Sequence, residues 1–169
     1  MIRDCGPDDF AAMVEIINDA AAAYRGVIPA DCWHEPYMAA DALHREIDAG
    51  VGFRGFEQDG GLQGVMGVQR VRDVVLIRHA YVRTVRRNRG IGSRLLDDLL
   101  TAITDPVLVG TWAAATWAIR FYRKGGFRLT TEQQKRELLQ DYWSIPARQI
   151  ETSVVLADER WFEGRQDGA

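Results

Sequence analysis

The stretch Tyr81-Val82-Arg83-Thr84-Val85-Arg86-Arg87-Asn88-Arg89-Gly90-Ile91-Gly92-Ser93 decides the reading of this chain, because it joins an apolar run to an amphipathic one through a turn of arginines and glycines. Upstream, residues 74–82 have the β-branched, apolar character of a strand. Downstream, Ile91, Leu95, Leu99 and Ile103 fall on one helical stripe with Leu96 and Leu100 beside it, which predicts a helix over 90–103 stopped by Pro106. A strand that feeds a helix through such a turn is an anion cradle. The first N–H groups of a helix have no intrahelical partner and the helix dipole favours negative charge there, so backbone alone holds a phosphate. Gly90 and Gly92 admit a close approach, and Asn88 tolerates positive φ better than most residues. Two nucleotide motifs are excluded: no Lys-Ser or Lys-Thr follows the glycines as a P-loop requires, and Leu95 stands where a dinucleotide fingerprint needs its third glycine.

Working outward, residues 51–57, 62–70 and 74–82 alternate as three strands joined by Asp59-Gly60-Gly61 and Arg72-Asp73, an antiparallel meander. Ahead of it, Phe10, Met13, Val14, Ile17 and Ala21 mark a helix over 8–23, and a second helix spans 37–49 and ends at Gly50. The loop between them, 24–37, is rich in aromatics. After the cradle helix, residues 107–109 form a short buried strand, 116–124 a helix closed by Gly125-Gly126, and 127–130 a strand. Thr131 with Gln134 reads as a capping box opening a helix to 142, and a final strand covers 151–156. The expected fold class is α/β (α+β): a mixed central sheet, antiparallel meander first and a parallel β-α-β crossover next, with helices on both faces. At 169 residues one domain is the default, taken as 1–158, with 159–169 a polar C-terminal tail of poor order.

Composition narrows the function. Net charge is −3, which argues against a general nucleic-acid binder, yet 19 of the 21 basic residues are arginine, and five of them lie between Arg83 and Arg94. Cys5 and Cys32 are the only cysteines and no histidine pair accompanies them, so neither a disulfide framework nor a metal site is encoded. No run approaches the roughly 20 apolar residues of a membrane span, and the acidic N-terminus lacks a secretory pattern. The expectation is a cytoplasmic protein with no membrane partner, and a homodimer is the prior for its assembly.

A second signature, Ala118-Ile119-Arg120-Phe121-Tyr122-Arg123-Lys124-Gly125-Gly126-Phe127, follows the cradle by about 30 residues. Together, Arg87-x-x-Gly90-x-Gly92 after Ala80-Tyr81-Val82 and this "A-x-x-F-Y-x-x-x-G-F" run resemble the two motifs of the GNAT superfamily of acyl-CoA-dependent N-acyltransferases. The resemblance implies a bacterial-type N-acetyltransferase that uses acetyl-CoA, with no metal, and transfers the acetyl group directly to the amine of a small molecule or peptide in a ternary complex. It implies that Arg87, Asn88, Arg89, Gly90, Ile91, Gly92 and Ser93 hold the pyrophosphate. Val82 and Arg83 offer backbone contacts to the pantetheine arm, and Phe121 lies against the cofactor. Tyr122 is the implied general acid for the leaving thiolate. Ala115 stands where the family often has an asparagine.

For the general base the residues leave alternatives: His79, two residues before Tyr81 on the face opposite Val82 unless a bulge re-aims it, or His34 and Glu35 in the aromatic loop. Specificity falls to the segments 24–37 and 131–146. Tyr24, Trp33 and Glu35 are candidate acceptor-binding residues, and Tyr37, Tyr142 and Trp143 are further aromatics of these segments. The alternative reading is a non-catalytic acyl-CoA-binding regulatory module, which would bind CoA without releasing thiol to an acceptor.

Overall fold

The computed structural model describes residues 1–166. The meander is formed by β2 (Gly52–Gln58), β3 (Gly61–Val71) and β4 (Val74–Val82), paired antiparallel in sequence order. A short strand not expected from the sequence, β1 (Ile2–Asp4), adds to the outer edge of β2 with Ile2 opposite Phe56. It is too short and too charged to show a period. What holds it is side-chain pairing: Arg3 donates to both Asp9 oxygens, at 2.8 and 2.9 Å, and to Glu57.

From β4 the chain crosses through α3 (Ile91–Ala102) to β5 (Val107–Trp112), which lies parallel to β4. Helix α4 (Thr116–Lys124) leads to β6 (Arg128–Leu129). Helix α5 (Glu132–Tyr142) opens on the Thr131/Gln134 capping box, with the Thr131 hydroxyl accepting from the Gln134 amide. A further short helix, α6 (Ala147–Thr152), occupies residues expected to start the last strand, so β7 runs Ser153–Ala157 and inserts between β5 and β6. The sheet order is β1-β2-β3-β4-β5-β7-β6.

Helices cover both faces. On one, Ile91, Leu95, Leu96 and Leu99 of α3 pack with Tyr122 and Phe127 onto Met66, Val75, Ile77 and Val109. On the other, Met13, Ile16 and Ile17 of α1 (Phe10–Ala21) and Leu43 of α2 (Ala40–Asp48) pack onto Phe53, Leu62 and Val65.

The segment after β7 departs from the expected loose tail. It forms α7 (Glu159–Gln166), with Trp161 buried. The buried carboxylate of Asp158 accepts from the amides of Val107 and Trp161, which caps the helix. Arg160 donates to the carbonyls of Leu100, Ile103 and Asp105 at the unsatisfied end of α3. The rest of the tail, 167–169, lies outside the described residues. No helix among the described residues is long and apolar enough to cross a membrane.

Candidate functional site

The site originates in a parting of strands. β4 and β5 pair only at Val75–Val107, Leu76–Leu108 and Ile77–Val109; beyond these, residues 78–82 stay with β3 while residues 110–112 stay with β7. A bulge marks the point of parting. Val65 faces Tyr81 and Gly67 faces Arg78, so His79 and Ala80 together oppose Met66, and His79 takes φ +51°. A β-strand residue other than glycine at positive φ is strained, and such strain concentrates at functional positions.

Two cavities fill the gap. The larger, about 430 Å³, runs from the Val82–Ser93 turn to α4 and is walled by Tyr81, Val82, Gly90, Gly92, Trp117 and Phe121 among others. The smaller, about 160 Å³, lies on the far side of the bulge between Arg78–Tyr81, Val109–Trp112 and the segment from Leu139 to Ser153. Tyr24, Ala80, Tyr81, Ala118 and Tyr122 belong to both walls, so the cavities meet there.

In the larger cavity, Asn88 (φ +61°) and Gly90 (φ +77°) are both left-handed and turn the chain so that it enters α3 with its first amides free. Successive amides in such a turn form an anion-binding concavity, reinforced by the helix dipole. The two glycines serve different ends. A Cβ at Gly90 would meet nothing, so its constraint is torsional; one at Gly92 would sit 3.2 Å from the Phe121 ring, so its constraint is the close packing of α3 on α4.

The arginines separate into two sets. Arg86 pairs with Asp59 at 2.7 Å and Arg83 with Glu15, whereas among the described residues Arg87, Arg89, Arg120, Arg123 and Lys124 have no carboxylate partner. Arg120 and Lys124 line the cavity, and with Arg123 they border an adjoining hollow. Free amides and unpartnered cations around one concavity fit a polyanionic group such as a pyrophosphate. Arg83 stands apart from this: its amide donates to Gln63 O at 2.9 Å and its Nε to Leu62 O at 2.9 Å, which commits it to β3 and removes its N–H from the cavity. Ala115 is fully buried beside Tyr24 and Trp112 and offers no polar group.

The smaller cavity is aromatic. Trp112 Nε1 donates to Tyr37 Oη at 2.9 Å, and the ring of Tyr24 lies beside both Tyr37 (5.3 Å between centroids) and Tyr81 (6.4 Å). Burial pushes the Tyr37 hydroxyl up to about 12 and raises those of Tyr24 and Tyr81, so all three stay neutral. Tyr122, 5% exposed, is also raised by burial and then by the neighbouring Tyr24; among the described residues its hydroxyl has no hydrogen-bond partner.

His79 faces α2 and α1, opposite to Val82, as strand alternation requires. Its Nε2 meets the carboxylate of Glu46 on α2, and its ring stacks on Phe53 at 6.2 Å. A carboxylate only accepts, so the Nε2 that meets Glu46 carries a proton, and Nδ1 is the nitrogen left for other partners. Burial opposes ionisation of Glu46, but the His79 hydrogen bond and the charges of His79 and Arg78 outweigh it and hold the carboxyl below its ordinary value.

Of the candidate acceptor-binding residues, Tyr24 lines both cavities. Trp33 instead stacks on the outer side of Tyr37 at 5.9 Å, and Glu35, 68% exposed, pairs with Arg25. His34 lines neither cavity. Glu46 carried no sequence signal, being 33 residues from its partner on the polar side of a helix.

The acetyltransferase (GNAT) domain model matches residues 11–141. The chain belongs to the GNAT family of acetyltransferases. It is an acyltransferase by that membership, with the mixed sheet of its structural relatives. A GNAT-family acetyltransferase from Staphylococcus aureus superposes with TM-score 0.70 at 16% identity, over 94% of this chain and 97% of that one. The PaiA N-acetyltransferase from Thermoplasma acidophilum, in complex with coenzyme A, gives 0.69 at 16% identity over 94% and 97%. The ribosomal-protein-S18-alanine N-acetyltransferase from Escherichia coli gives 0.66 at 15% identity over 94% and 92%. No curated protein sequence matches the chain.

Proposed function

We propose that this GNAT protein moves an acetyl group from acetyl-CoA to the primary amine of a small acceptor by direct attack in a ternary complex. The observation that carries this reading is the position of Tyr122, a buried neutral hydroxyl without a partner at the junction of the two cavities. The amides from Asn88 to Ser93, with the charges of Arg87, Arg120 and Lys124, bind the pyrophosphate end. Val82 at the free edge of β4 and Phe121 on α4 guide the arm toward Tyr122.

Acetyl-CoA supplies the thioester carbonyl. The acceptor enters from the smaller cavity as an ammonium, and His79 Nδ1 takes its proton. Glu46 holds the tautomer and balances the imidazolium that forms. The N–C bond forms as the C–S bond breaks, and Tyr122, held protonated by burial, gives its proton to the thiolate. The acylated nitrogen sheds its second proton to solvent, and solvent reprotonates the Tyr122 oxygen and removes the proton left on His79.

Acetyl-CoA-dependent thiol release over a panel of amines, with a no-acceptor blank, tests the reading. Release that depends on an acceptor and collapses in Tyr122→Phe and His79→Ala supports it. Bound acetyl-CoA with no release to any amine points instead to a binding module.

A further inference from the structure

Resting on that reading, we infer that the acceptor is a small monoamine with a flat aromatic body, a phenylalkylamine in its simplest form. Size is the first ground. The acceptor cavity holds about 160 Å³, below the ~300–1,000 Å³ typical of pockets for drug-sized ligands. A polypeptide terminus with its flanking residues does not fit within such walls.

The second ground is the character of those walls. Tyr24 and Tyr37 lie 5.3 Å apart at 52°, and the hydrogen bond from Trp112 Nε1 ties the Tyr37 hydroxyl to β5. The Trp143 indole lines the same cavity, lying on the β5 backbone at Gly110 with its Cζ2 3.4 Å from where a Cβ would stand, so the three rings bound an aromatic slot. Flat rings pair favourably with such faces in offset or edge-on geometry.

Charge is the third. Arg78 and His79 are the ionisable side chains of the lining besides the neutral tyrosines, and both are already answered. Arg78 bonds Gln69 at 3.0 Å and lies 3.6 Å from the same Glu46 oxygen that meets His79. Among the described residues no aspartate or glutamate lines the cavity. The second ammonium of a polyamine would be buried without a counter-ion, and the carboxylate of an amino acid would have to take Arg78 from its partners. A single ammonium at His79 with a neutral ring in the slot adds one charge only, and once its proton has passed to Nδ1 that charge faces Glu46.

The test is steady-state thiol release by the full chain with phenylethylamine, tyramine, spermidine, alanine and an alanine-initiated peptide, alongside acetyl-CoA titration by calorimetry. The expected order places the two aromatic amines at least about tenfold above the others in kcat/KM. Trp143→Ala is expected to raise KM for phenylethylamine about tenfold with kcat within about twofold and acetyl-CoA affinity intact, and Trp143→Phe to recover most of the loss. Should Trp143→Ala fail to fold, Trp143→Leu, which keeps an apolar side chain over Gly110 but removes the flat face, gives the same KM effect in weaker form. A better acceptor among spermidine, alanine and the peptide, or loss in kcat with KM unchanged, overturns the aromatic class and leaves the transferase standing. Silence from every amine with acetyl-CoA bound overturns both.

Discussion

The two cavities are built by opposite means. The cradle end of the larger is built from backbone, with left-handed turns and free helix amides within residues 82–93, and carries cations left without carboxylates there and along α4. The smaller is lined mainly by side chains, with Tyr37, Trp112, Arg78 and His79 already engaged, drawn from six separated stretches of chain. A cavity with unanswered donors waits for a charged ligand; one whose walls are mostly aromatic and whose charged groups are engaged selects by shape. The division of labour teaches why one part of such an enzyme is generic and the other particular: amides bind any pyrophosphate, but a slot of rings admits only what fits.

Several substitutions would break or sharpen this contrast. Tyr122→Phe acts at the junction and should have the largest effect, a loss of about 10²–10⁴ in kcat with acetyl-CoA affinity unchanged by calorimetry. Gly90→Asp places a side chain at φ +77° and a negative charge in the cradle; acetyl-CoA affinity should fall about a hundredfold, while circular dichroism shows the fold retained. Glu46→Gln leaves the cofactor cavity untouched and should lower kcat about tenfold.

The smallest effect lies outside both cavities. Asp9 is held down to about 2, first by the Arg3 hydrogen bonds and then by the Gly6 amide. A lowered carboxyl contributes stability that is complete above its ordinary range and is lost as pH falls from about 4 toward 2. Asp9→Asn should therefore flatten acid unfolding, followed by fluorescence, in that window, yet leave the pH profile of kcat as it was. Acid loss of activity and acid loss of stability would then be assigned to separate places.

How much of this was legible in the sequence follows from the same contrast. The cradle and the Ala118–Phe127 run are contiguous, so the turn residues pointed to Asn88, Gly90 and Gly92 and the family resemblance to Tyr122, and the meander and crossover followed from period and turn residues. Asn88 does take the positive φ assigned to it. The acceptor cavity is made by tertiary convergence, and spacing cannot report that Glu46 reaches His79 or that Trp143 lies on Gly110. The aromatic segments 24–37 and 131–146 stand out in the sequence, but not which of their residues face the smaller cavity: Tyr24, Tyr37 and Trp143 line it, whereas Trp33 and Glu35 do not. Arg83 was drawn toward the cofactor by its place beside Val82, and only the register with β3 shows its amide already bonded to Gln63. Strand β1 and helix α7 escaped because each is short and held by remote partners, Asp9 and Glu57 for one, the α3 carbonyls for the other.

A crystal structure of the protein with coenzyme A tests the central claim most directly. The account predicts the pyrophosphate on the amides of Asn88 to Ser93 and the thiol beside the Tyr122 hydroxyl, with the aromatic slot beyond it open. A pyrophosphate seated away from that turn, or a thiol that ends in the slot between Trp112 and Trp143, would contradict it.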